Sequence, residues 1–184
     1  MKKKLISGIL LVSLVMSVVG CNKALDSASK NNETKPKIVA SYEQISGLKE
    51  LKDRADTIVE AEGTDNYELV DYKGIKMRKT VIKVIDVIKG DKQLKELKFL
   101  QSEGVKGEEP IAKGEKVLMF LKKGVDNPDS YITFGGTQGI YKIVESTSKS
   151  NNVTKHLEPH SMVNNKILKE LNDNYYDLKE KLRN

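Results

Sequence analysis

The chain has no tryptophan, three phenylalanines, four prolines and a single cysteine in 184 residues. Each shortage excludes something. One cysteine permits no internal disulfide, although small exported domains with a poor core usually depend on them. The domain must therefore be stabilised by its core alone. Few aromatics leave little stacking surface for single-stranded nucleic acid, the usual ligand platform of small β-barrels. No Gly-x-Ser-x-Gly nucleophile elbow occurs. The two histidines fall together in His156-Leu157-Glu158-Pro159-His160. Histidine and glutamate can bind zinc, but Pro159 prevents a helical two-histidine face and no third strong ligand is near. That segment reads as a solvated loop capping the next helix, with no metal expected. Glu108-Glu109 is a carboxylate pair in a glycine-rich loop, and such pairs are more often solvated surface than general acid–base machinery.

The N-terminus is richer in signal. Lys2, Lys3 and Lys4 precede an uncharged run from Leu5 to Val19, which is short of the roughly 20 residues a membrane span needs. Gly20 is small, and Cys21 follows it. Positive, apolar and small-residue regions in this order form a secretory leader. Val18-Val19-Gly20-Cys21 resembles a bacterial lipobox. The resemblance implies that the Cys21 thiol takes a diacylglyceryl group, that residues 1–20 are removed, and that Cys21 becomes the acylated N-terminus. Stable anchoring takes two lipid signals, each buried CH₂ contributing about 0.8 kcal/mol. The other readings are an ordinary signal peptide with a coincidental cysteine, or an uncleaved N-terminal helix. Loss of the leader would leave 184 − 20 = 164 residues and a net charge of 6 − 3 = +3. That excess is too small to argue for nucleic acid, but it favours anionic head groups or wall polymers.

After the anchor, residues 21–38 are polar and aperiodic and read as a flexible tether, with a reach on the order of 20 Å. Residues 39–184 read as one domain. Ser41 to Ala55 predicts a short helix with a Ser41/Gln44 capping box, weakened by Gly47. Strands are expected at Asp56–Gly63, Tyr67–Tyr72, Ile75–Ile88, Leu97–Gln101, Lys116–Leu121, Tyr131–Phe134 and Ile140–Glu145. Ser102 to Glu115 reads as a long loop, Gly135 to Gly139 as a bulged hairpin turn, and Ser146 to Asn152 as a polar break. Ser161 to Leu182 predicts one long amphipathic helix, with Val163, Ile167, Leu171, Tyr175, Leu178 and Leu182 as its apolar stripe. Short strands without βαβ alternation predict a mainly β fold: an antiparallel barrel of about five to seven strands with a short N-terminal and a longer C-terminal helix.

The succession Ala55-Asp56-Thr57-Ile58-Val59, TVIKVIDVIKGD at Thr80 to Asp91, GEKVLMFLKKG at Gly114 to Gly124 and YITFGGTQGIYKI at Tyr131 to Ile143 is similar to uncharacterised lipoproteins of Gram-positive bacteria. Their domain resembles an OB-like barrel of the netrin or tissue-inhibitor-of-metalloprotease type. The long insertion Thr64 to Lys79 departs from that pattern. The disulfides and N-terminal cysteine wedge of the metazoan members are absent, so inhibitor activity does not carry over.

The function expected is a non-enzymatic binding module, lipid-anchored through Cys21 on the outer face of the cell membrane. An envelope protein or wall polymer is its expected partner, with no nucleic acid and no cofactor. The alternative is an envelope lipoprotein with hydrolase or protease-inhibitor activity. The candidate binding surface is a barrel end built from the Ser102 to Glu115 loop and Gly135, Gly136, Thr137, Gln138 and Gly139.

Overall fold

A computed structural model describes residues 41–147, 153–171 and 174–184. The leader, Cys21, the tether and most of the Ser146 to Asn152 break lie outside them. In chain order the elements are α1 (Leu48–Arg54), β1 (Thr57–Glu62), β2 (Tyr67–Tyr72), β3 (Ile75–Lys89), β4 (Glu96–Ser102), β5 (Lys116–Lys123) and β6 (Ser130–Ile132). A 3-10 turn (Gly136–Gly139) follows, then β7 (Ile140–Thr147), β8 (Val153–Pro159), α2 (Asn165–Leu171) and α3 (Tyr175–Arg183).

The barrel closes through five strands. Hydrogen bonding runs β1–β3–β4–β6–β5, and β5 pairs back onto β1. Closure removes free edges, as in a Greek-key barrel of OB-like form. Four of the five junctions are antiparallel, but β4 and β6 run parallel. The expected antiparallel barrel is thus found, with one parallel junction in it. After β4 the chain crosses over to β5 and returns by a short turn, which inserts β6 between β4 and β5. A parallel neighbour always needs such a crossover.

The apolar run in β5 explains the layers. Val117, Met119 and Leu121 face the barrel interior beside Val59, Ala61 and Ile82. Leu118 and Phe120 face outward, yet they are equally buried, under α1, α2 and α3 beside Leu51, Ile167, Leu171 and Leu178. Side chains alternate across a strand, so an unbroken apolar run means cover on both sides. Phe120 meets Tyr141 edge to face, with ring centroids 6.4 Å apart.

β2 and the first half of β3 form the hairpin that the long insertion encodes. Lys73 and Gly74 both have positive φ (53° and 83°), the backbone of a tight two-residue hairpin turn. β2 pairs only with β3, and Tyr67 and Leu69 stand about half exposed.

Three expectations give way. The first helix starts at Leu48, not Ser41, because Ile45 N–H is committed to Gln138 Oε1; Gly47 is the N-cap, and Ser46 before it donates its N–H and hydroxyl to Glu50 Oε2. The histidine segment is not a solvated loop. It forms most of β8, which pairs with β7 and buries Leu157. The C-terminal helix is two helices. Asn164 Oδ1 accepts from the N–H of Lys166 and Ile167 at the start of α2, and Asn174 Oδ1 accepts from Tyr176 N–H at the start of α3. Asparagine favours such caps. The stripe survives the break: Ile167, Leu171, Tyr175, Leu178 and Leu182 are buried on the barrel, and Val163 alone stays exposed.

Candidate functional site

The barrel is most lightly paired at β6, which meets β4 only at Lys98–Ser130 and Phe99–Tyr131 and β5 only at Lys122–Ile132 and Lys123–Tyr131. Beyond the β4–β6 pairs lies a cavity of about 230 Å³, lined on one side by Leu100, Gln101 and Ser102 and on the other by Ile132 and Thr133. Crevices past the carboxyl ends of parallel strands are common ligand sites. A second hollow of about 250 Å³ adjoins it. The two share Met77, Leu100 and Ile132, and the second reaches Tyr72, Val125 and Asp126. Together they form an apolar trough across one flank of the barrel.

The Ser102 to Glu115 loop bends back over the cavity and is pinned there. Ser102 N–H donates to Glu108 Oε2 at 2.8 Å, and the Tyr42 hydroxyl donates to Glu108 Oε1. Gln101 Nε2 donates to the carbonyls of Glu108 and Glu109 at 3.1 and 3.3 Å. Val105 and Ile111 are buried as apolar anchors at either end. Desolvation, then the bond to Glu108, raises the Tyr42 pKa well above its ordinary value, so Tyr42 stays protonated and keeps donating.

The structure places Gly135, Gly136 and Thr137 in the cavity wall; Gln138 and Gly139 do not line it. The segment is a 3-10 turn rather than a bulged hairpin. Gly135 and Gly136 have φ of 66° and 65°, and a Cβ on Gly136 would sit 2.8 Å from Met162 Sδ and 2.9 Å from the Tyr42 ring. Close approach of neighbours, together with positive φ, requires glycine. The polar side chains of the turn are committed inward. Thr137 Oγ1 donates to Gly107 O and accepts from Met162 N–H. Gln138 Oε1 accepts from Ile45 N–H and Asn164 Nδ2, while its Nε2 donates to the carbonyls of Glu43 and Gly135. These residues clamp the N-terminal segment, the loop and α2 together.

Behind that clamp lie Ser161, His160 and Glu115. Ser161 Oγ is 3.3 Å from His160 Nδ1, and His160 Nε2 is 3.4 Å from Glu115 Oε2. The residue types suit a nucleophile, base and orienting acid, but Ser161 donates its proton to Gly107 O at 3.0 Å. The His160 side chain is only 2% exposed, and burial lowers its pKa although Glu115 opposes that. The arrangement therefore reads as packing around a neutral histidine. His156, on the outer part of β8, pairs with Glu158 at 3.2 Å and does not converge with His160. Among the described residues no group of three or more His, Cys, Asp or Glu side chains is placed to hold a metal ion.

Comparison with models of known families and with curated proteins finds no match. The site is thus defined by its geometry. Sequence reasoning found the loop and the glycine turn but missed Tyr42, Met77 and Gln101. Gln101 carried a legible signal. It continues the inward parity of Leu97 and Phe99, and a polar residue in an inward strand position must find partners.

Proposed function

We propose that the protein is a non-enzymatic binding module, held on the outer face of the cell membrane by acylated Cys21. The lipobox-like Val18-Val19-Gly20-Cys21 supports the anchor. A barrel of the netrin or tissue-inhibitor type is the finer reading of the closed five-stranded fold. The observation that carries the binding function is the trough. Beside the briefly paired β6, two hollows share an apolar wall of Met77, Leu100 and Ile132, and Tyr42 and Glu108 line the first of them. Cavities that serve only packing are few and small in close-packed interiors, and concave apolar sites with a few convergent polar groups are the usual form of ligand sites. The partner is an envelope component met at the membrane surface. Among the described residues Ser161, the hydroxyl beside His160, donates to Gly107 O, which supports the non-enzymatic reading.

Site-specific photo-crosslinking in membranes tests this. A photoreactive residue at Val125 or Tyr72, on the lip of the trough, should yield a discrete adduct that the same group at Lys169 does not. Identical adduct patterns from all three positions would remove the trough as the binding surface.

A further inference from the structure

Resting on the binding-module reading, we propose that the cavity between β4 and β6 takes a small primary ammonium compound with a short apolar stem, its charge met by Glu108. Glu108 is half-buried in the cavity wall. Among the described residues it forms no ion pair; its donors are the neutral Tyr42 hydroxyl and Ser102 N–H. An ionised carboxylate has about four acceptor positions, and these two donors leave some open without cancelling the charge. Among the described residues no lysine, arginine or histidine lines the cavity. An anion would meet uncompensated repulsion, and a neutral ligand would leave the charge unpaired.

A second observation lies on the same wall. Gln101 is 5% exposed. Its Nε2 is held by two carbonyl oxygens, so the amide cannot be flipped without setting oxygen against oxygen. Its Oε1 is the one buried side-chain nitrogen or oxygen among the described residues with no hydrogen-bond partner. That oxygen is sealed from solvent within the wall and meets no ligand; what Gln101 does is hold the two loop carbonyls that set Glu108 over the cavity. An ammonium group offers three N–H donors, enough for Glu108 and further acceptors. The stem lies against Met77, Leu100 and Ile132. At about 230 Å³ the cavity falls below the roughly 300 Å³ at which drug-sized pockets begin, so the part of the ligand inside it is a few heavy atoms long. A divalent cation fits poorly, because one carboxylate is far from the six or more oxygen ligands that calcium takes.

The test is calorimetric titration of the full chain in mild detergent with n-butylammonium chloride, n-butanol and sodium butyrate at equal ionic strength. Saturable one-to-one binding of butylammonium is expected. Butanol should bind about tenfold or more weakly, a difference of one charge-assisted contact, and butyrate should not bind. Glu108→Gln should weaken butylammonium by about tenfold or more, and Gln101→Met should weaken it too, while Glu158→Gln on the outer part of β8 should leave it unchanged. Butylammonium binding no tighter than butanol overturns the proposal, as does Glu108→Gln binding with wild-type affinity. If Glu108→Gln does not fold, the ranking of the three ligands on the unaltered protein decides. Position-specific crosslinks without ammonium preference would keep the binding module and discard this ligand; ammonium preference without such crosslinks would do the reverse.

Discussion

The Tyr175 hydroxyl donates to Glu60 Oε2 at 3.0 Å across 115 residues of chain. It fastens α3 to the barrel strand β1. Lys179 Nζ reaches the same carboxylate at 2.7 Å and Asp86 Oδ2 at 2.7 Å, and Arg183 adds a second contact to Asp86. Burial pulls the Lys179 pKa down, but the bonds to Asp86 and Glu60 win and hold it above the ordinary value. Glu60 lies in a position where the alternation of β1 turns it out of the barrel and under the helix, so it must be paired where it is.

Cutting that tie should loosen the helix. Tyr175→Phe removes one donor from a buried carboxylate and should cost about 1–3 kcal/mol. Lys179→Met should cost at least as much, because it removes the nearest cation from buried Glu60, leaving Lys155 at 3.7 Å, and leaves Asp86 to Arg183 alone. Urea midpoints of the two variants check this; wild-type midpoints would mean that the network adds nothing.

β5 is the structural centre. Leu118 and Phe120 are both fully buried, so Leu118→Ala and Phe120→Ala should each cost about 2–5 kcal/mol. Equilibrium unfolding measures it, and a loss below about 1 kcal/mol in both would place the strand wrongly.

The glutamine clamp has a local readout. Gln138→Leu strands Ile45 N–H and one of the two Asn164 Nδ2 hydrogens, the amide keeping its bond to Ile45 O. A cost of about 1–3 kcal/mol is expected, with faster hydrogen exchange at the Ile45 amide. Unaltered exchange there would show that the segment before α1 is held by something else.

His160 gives a pH dependence. Its pKa in the folded protein lies below the ordinary 6.5, chiefly through burial. Between those two values the unfolded chain binds a proton that the folded chain refuses, so stability is full above 6.5 and falls as pH drops through the window. The slope from this one group is at most about 1.4 kcal/mol per pH unit. His160→Gln should flatten the fall just below pH 6.5; an unchanged profile would assign the loss to carboxylates.

Much of this fold was legible because its strands carry their own chemistry. The β-branched runs of β1 and β3, the Lys73-Gly74 turn and the stripe of α2 and α3 follow from period and turn residues alone. What escaped were features set by distant partners. β8 mixes histidine, glutamate and lysine and has no strand period that outweighs them; pairing with β7 decides it. Ser41 to Gly47 has helical spacing, but Gln138, far along the chain, takes the Ile45 N–H, and the segment forms no helix. The parallel β4–β6 seam has no local signature, because crossover order is a property of the whole chain. The cavity inherits that: Glu108 and the glycine turn could be marked from sequence, whereas their meeting with Tyr42 and Gln101 could not.

The most direct test of the account is metabolic labelling with a fatty-acid probe in cells expressing wild-type protein or Cys21→Ser, followed by separation of membrane and soluble fractions. Label on the wild type alone, with the variant lost from the membrane fraction, is the predicted result. Equal label and equal membrane retention in both would contradict the anchored binding module at its base.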